Sequence, residues 1–261
     1  MLKFTLQDLA IFISERSEGS FRQARAIRQF LEKQSPLEQE DFNLLHLQLE
    51  NKSRQVVIEE KDVLERKVTQ VFTGDAILTN LKRGEKRANK TLISMVVGDC
   101  FPLIFFDQKS KNMAMVHAGW QPLYLGILDE VWFQMLKLWQ TQAINLWAFL
   151  GPGIRAQSYC LASKPRQSQD LNWQKFIKEQ EKSQANLETR QWQIDLPAFI
   201  KDFLFKKGVS AEQLRDTQLD TYSDERFFSY RRSQDLKELG QKELAGSGKE
   251  RFFLACQLPG N

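Results

Sequence analysis

The chain has 261 residues, 42% hydrophobic and 27% charged, with nineteen Phe and six Trp. That is the balance of a soluble globular protein with apolar bulk for one sizeable core. A formal charge of +4 with acids interleaved among the Lys and Arg excludes the concentrated basic footprint of a nucleic-acid binder.

The opening segment, "MLKFTLQDLAIFISER", carries Gln7 and Asp8 inside its apolar stretch and lacks a small-residue cleavage site, which argues against a signal peptide. "SEGSFRQARAIRQFLEKQ" predicts a helix capped by Ser20, with Ala24, Ile27, Phe30 and Leu31 facing inward. "FNLLHLQLENKSRQVVIEE" predicts two strands around a polar turn at Asn51–Ser53, and "DAILTN" a short strand before the basic loop "KRGEKRANK". That loop has no aromatic residues to stack bases and reads as a solvated surface. The strands "LISMVVGD", "CFPLIFFD" and "MAMVHAG" follow. The most apolar run breaks at Gly98-Asp99 and is too short to span a bilayer.

After Pro122, "LYLGILDEVWFQMLKLWQ" predicts a helix with Ile127, Val131, Met135 and Leu138 on one stripe. "INLWAFLGPGI" predicts a strand, Asn172 to Ala185 a polar surface helix, and "IDLPAFIKDFLFKKG" a helix stopped at Gly208. "RFFSYRR" and "ERFFLACQL" read as closing strands. Hairpin-like neighbours mixed with crossover helices predict an α+β fold, with mixed sheets in a single domain over residues 1–261. Three cysteines (Cys100, Cys160 and Cys256) cannot all pair, so reduced thiols and a cytoplasmic setting are expected, with no membrane partner.

Chemistry centres on Cys100 and His117, at the ends of neighbouring predicted strands. A thiolate and an imidazole so placed could bind zinc if a third ligand arrives, or the imidazole could activate the thiol as a nucleophile. Packing is the ordinary role of a lone Cys and a lone His, but Gly119 permits close approach of a ligand to the backbone. Trp120 and Phe228 could stack on a purine or belong to the core.

In order and spacing, "GDAILTN", "VVGDCFPLIFFD", "MAMVHAGW", "LGPGI", "IDL" and "FFSYRR" resemble the bacterial laccase-domain family, from about Phe12 to Arg232. The family is also called multicopper polyphenol oxidase-like, and its members are described as purine nucleoside phosphorylases. The resemblance implies sheets sandwiched between helices. It also implies cleavage of adenosine, inosine or methylthioadenosine with phosphate, with deamination of adenosine as a further activity. It implies a zinc site from the cysteine of Asp-Cys, the histidine of His-Ala-Gly-Trp and an earlier histidine, hence Cys100 and His117 as catalytic and metal residues.

The chain departs from the family at several positions. Glu50 stands where the third metal ligand, a histidine, is expected; a carboxylate can ligate zinc. His46, Gln48 and Glu50 would share one face of a strand. Gln121 replaces an arginine after His-Ala-Gly-Trp, and Asp220 replaces a cysteine. A Gly-Arg pair after the double arginine is missing. Arg16, Arg231 and Arg232 match family arginines and are expected, with Trp120, Gln121 and Asp220, around substrate or phosphate. A purine nucleoside and phosphate are the implied partners. A diverged member that binds a ligand or protein without turnover is the alternative, and the departures favour it. Copper-dependent polyphenol oxidation ranks third, because two histidines cannot build a multicopper centre.

Overall fold

A computed structural model describes residues 1–33, 42–58, 69–79, 90–180 and 192–257. Its described strands form two six-stranded sheets and one small sheet. The first sheet runs β1 (Leu2–Leu6), β2 (Leu9–Ile13), β15 (Phe252–Gln257), β7 (Lys90–Val97), β3 (Phe42–Gln48) and β5 (Thr69–Thr73) in spatial order. The second runs β14 (Leu214–Asp216), β10 (Leu146–Leu150), β8 (Phe101–Asp107), β9 (Asn112–Ala118), β6 (Ala76–Thr79) and β4 (Gln55–Ile58). In the first sheet β3 lies parallel to both β7 and β5; in the second β14–β10 and β6–β4 are parallel, and the other pairs are antiparallel. The small sheet joins β11 (Cys160–Leu161), β13 (Trp192–Ile194) and β12 (Ile177–Glu179).

The period of two explains the layering. Leu45, Leu47, Ile93 and Met95 of the first sheet meet Ile104, Phe106, Met113 and Met115 of the second in one buried cluster. The alternate residues of the first sheet, Phe42, Leu44, Leu92 and Phe253, pack on Ile27 and Leu31 of α1 (Ala24–Leu31). Leu103, Phe105, Ala114 and Val116 of the second sheet pack under α3 (Ile127–Trp139) and α5 (Leu196–Lys206), which follow α2 (Trp120–Tyr124) and α4 (Leu171–Gln174). The result is helix, sheet, sheet, helix: the mixed α+β sandwich expected.

Several local expectations are corrected. β3 and β4 flank the turn as predicted but belong to different sheets, as do β7 and β8. Ser20 does not cap α1, whose N-cap is Gln23; the Ser20 hydroxyl accepts from the Arg251 backbone N–H instead. Leu138 leaves the apolar stripe and is exposed, while Leu128 and Trp132 are buried. The segment after Asn172 is not a polar surface helix. One helical turn buries Trp173, which stacks on Phe199 at 4.0 Å, and the chain then enters β12; residues 181–185 lie outside those described. "RFFSYRR" is not a strand. The Ser229 hydroxyl accepts from the Arg232 N–H and starts α6 (Tyr230–Glu238). Most of the "KRGEKRANK" loop also lies outside the described residues.

Candidate functional site

The chain passes from the first sheet to the second at three places: the 49–54 turn, Gly74-Asp75 and Gly98-Asp99-Cys100. All three line or support one cavity of about 470 Å3. His117 sits near the end of β9, with its Nδ1 3.0 Å from Asp75 Oδ1; both side chains are buried. The His117 backbone N–H also donates to the Asp75 carbonyl at 2.8 Å. Asp75 accepts the backbone N–H groups of Asn51 (2.8 Å) and Lys52 (2.7 Å), so one carboxylate fixes the turn and the imidazole together. Burial opposes its charge. The hydrogen bonds from His117, Lys52 and Asn51 outweigh that and hold its carboxyl below the usual carboxylate range.

With Nδ1 engaged by Asp75, the Nε2 of His117 faces Cys100. A Cβ placed on Gly119 would stand 2.7 Å from Cys100 Sγ and 3.1 Å from His117 Nε2, so the two groups converge where only glycine leaves room. Burial alone would lower the His117 pKa. The charge of Cys100, its hydrogen bond and Asp75 reverse that and raise it to about 9. The imidazolium therefore carries its proton at neutral pH, donating toward Asp75 on one side and Cys100 on the other.

The residue before Cys100 is conformationally costly. Asp99 has φ of 148°, a region that favours glycine. Its carboxylate accepts from Thr221 Oγ1 and from the Arg231 backbone N–H, both at 2.7 Å, and its carbonyl accepts from Ile154 at 2.8 Å. Burial pushes its pKa up to about 6 despite those bonds. These contacts hold a strained backbone that presents Cys100 to the cavity.

Tyr159 lines the same wall; burial and the charges of Cys100 and Asp99 push its pKa up, so the phenol stays neutral. The Arg231 guanidinium lies 5.8 Å from the Tyr159 ring centroid and, among the described residues, has no carboxylate ion-pair partner. Trp120, 36% exposed, also lines the cavity.

Cys100, His117, Trp120 and Arg231 thus come together, and the other expected residues do not. Glu50 does not line the cavity; its carboxylate lies 3.8 Å from Arg54. Among the described residues no three His, Cys, Asp or Glu side chains form a group able to hold a metal ion. Gln121 is exposed outside the cavity. Asp220 is buried and accepts the backbone N–H groups of Arg155 (3.2 Å) and Tyr222 (3.0 Å), a loop-building role. Arg232 donates to the carbonyls of Thr221, Tyr222 and Phe227, and it lies with Arg16 in a separate depression. Arg22, Arg251 and His46 line the cavity and were not among the expected site residues. Asp75 was missed as well, although Gly-Asp before a strand is a recognisable signal for it.

A two-sheet α+β sandwich with a Cys–His–Asp chain at the wall of a cavity open to solvent is in keeping with a laccase-domain type of protein. The family described as multi-copper polyphenol oxidoreductase laccase matches residues 23–242, and the chain belongs to it. It is 27% identical over 175 residues to a purine nucleoside phosphorylase of Xylella fastidiosa, covering 62% of this chain and 63% of that protein. It is 27% identical over 145 residues to the purine nucleoside phosphorylase YfiH of Escherichia coli, covering 54% of each. The matches thus span under two thirds of those relatives. Among solved structures, a Bacillus licheniformis YfiH protein superposes with a TM-score of 0.68 at 16% identity, covering 97% of this chain and 93% of that one. A Neisseria meningitidis protein superposes with a TM-score of 0.66 at 18% identity, covering 97% and 95%. These likenesses show the fold. No described helix is long and apolar enough to cross a membrane.

Proposed function

We propose that this chain cleaves a purine nucleoside with phosphate in the cavity that holds Cys100 and His117. The carrying observation is the buried chain Asp75–His117–Cys100 at the wall of a cavity large enough for a nucleoside, with the Arg231 guanidinium beside it. The names of the relatives support the same reading.

In phosphorolysis a phosphate oxygen bonds to the ribose C1′ as the bond to the base breaks, and the electron pair leaves with the base. That leaving group needs a proton, and the phosphate needs a cation. His117, protonated up to a pH of about 9, supplies the proton from Nε2. Asp75 orients the ring and stabilises its charge. Arg231 serves the phosphate as the ribosyl cation develops. Cys100 lies against Nε2 in the resting site.

The zinc implied by the resemblance does not fit the donors assembled here. Cys100 and His117 supply two and, among the described residues, no third joins them, because Glu50 stays with Arg54. The chemistry above therefore uses the chain's own residues. The test is phosphate-dependent release of adenine and hypoxanthine from adenosine and inosine, with ammonia release as the separate readout for deamination. Base release that requires phosphate supports the proposal; none from either nucleoside contradicts it.

A second reading, a member that binds nucleoside without turnover, is favoured by Glu50 and by the purely structural bonding of Asp220. Saturable nucleoside binding without base or ammonia release would establish it.

A further inference from the structure

On β3 the residues facing α1 are Phe42, Leu44 and then His46; the first two are buried in apolar surroundings. The third breaks that pattern. Across the ladder His46 pairs with Ser94 of β7, and its Nδ1 lies 3.0 Å from Ser94 Oγ. A polar pair thus interrupts an apolar sheet face at the point where β3 reaches the cavity. The side chain is 3% exposed and still lines that cavity with Gln48, Val96 and Arg251. Ser94 occupies Nδ1, and among the described residues no group engages Nε2. That ring nitrogen, at the wall of the cavity, is available to bond an occupant.

We propose that His46, held in place by Ser94, is a specificity-determining residue that hydrogen-bonds the purine edge of the substrate through Nε2. This rests on the nucleoside reading above and extends it to the base. Cys100 and His117 come from strand ends of the second sheet, whereas His46 comes from the first, so the substrate bridges the two. The reacting bond then lies at the second sheet and the base against the first.

A neutral partner is required. Burial lowers the His46 pKa to about 4, so the ring is uncharged at neutral pH and recognises an amide-like or amine edge rather than an anion. The cations along the cavity, Arg22, Arg231 and Arg251, are the groups suited to phosphate. The neutral imidazole offers either a donor or an acceptor at Nε2, according to its tautomer. Purines with an amino or an oxo group at C6 differ in that respect, so His46 separates adenosine from inosine.

The experiment measures equilibrium binding of adenosine, inosine and the base-free probe ribose 1-phosphate to the full chain. It compares wild type, His46→Leu and Ser94→Ala, with melting curves to confirm folding. His46→Leu is expected to weaken the preferred nucleoside at least tenfold, to bring the adenosine-to-inosine ratio toward one, and to leave ribose 1-phosphate within twofold. Ser94→Ala, which frees the ring without removing it, is expected to reduce the same ratio less. A purely packing role for His46 would not move that ratio. Wild-type binding of both nucleosides with unchanged ratios in the two variants overturns the inference alone. No nucleoside binding by folded wild type overturns the nucleoside reading and the inference together.

Discussion

The Nδ1 of His117 lies 3.0 Å from Oδ1 of Asp75, and the same carboxylate holds the backbone of Asn51 and Lys52. One side chain therefore ties the imidazole's orientation to the turn that passes the chain between the two sheets. Asp75→Asn keeps the shape but removes the charge. Loss of an oriented, charge-stabilised general acid is expected to lower kcat by at least about a hundredfold. Leaving backbone N–H groups poorly paired is expected to cost about 1–3 kcal/mol of stability. Steady-state kinetics with a melting curve check both; an unchanged kcat would remove His117 from the proton-transfer role.

Gly119 sets the spacing of the reactive pair. An added methyl at 2.7 Å from Cys100 Sγ must displace the thiol or the imidazole. Gly119→Ala is expected to abolish most activity, with an overpacking cost of about 1–3 kcal/mol. The variant should still fold, as followed by circular dichroism.

Metal removal tests the donor argument. Activity after dialysis against a strong chelator is expected to stay within about twofold of the untreated protein, since among the described residues only two donors converge. Glu50→Ala is expected to leave a competition titration with zinc unchanged. A chelator-sensitive rate restored by zinc would show that a third ligand reaches Cys100 and His117.

The pH response of stability carries a sign that identifies His46. Its folded pKa, about 4, lies below the unfolded 6.5, so the stability it contributes is present above 6.5 and is lost as pH falls through 4. That loss is about 3 kcal/mol for a fully buried ring. Asp99 works in the opposite direction: its folded pKa near 6 exceeds the unfolded 3.8, so it favours folding below 3.8 and loses that contribution as pH rises through 6. His117, with a folded pKa near 9, contributes fully below 6.5 and loses its share only as pH rises through 9. Denaturant unfolding of wild type and His46→Leu between pH 4 and 7 isolates the first effect. The difference in stability between the two proteins is expected to shift in favour of His46→Leu on acidification. A constant difference would mean the ring is not buried neutral.

Period-two alternation was enough to read most strands from the sequence, and the helical period the inward residues of α1. Partner choice was not, because local pattern does not say which sheet a strand joins; hence β3 and β4, close in sequence, separate into different sheets. "RFFSYRR" misled for another reason. Its aromatics suit a strand, but the Ser229 cap decides for a helix. In the site, Cys100, His117, Trp120 and Arg231 were legible through their motifs. Asp75 lies 42 residues from His117 in sequence, and its role depends on pairing that only the folded sheets create. Glu50 lies outside the cavity because the chain turns at Asn51 and leaves its carboxylate beside Arg54.

The most direct test of the account is the rate of base release from adenosine and inosine as a function of phosphate, for wild type, His117→Ala and Arg231→Gln. Wild type is expected to release base only with phosphate, on a pH profile whose rate falls above about 9 as His117 loses its proton. His117→Ala is expected to lose about a hundredfold or more in kcat, and Arg231→Gln to raise the KM for phosphate. Folded wild type that releases no base at any phosphate concentration, or His117→Ala with an unchanged rate, would contradict it.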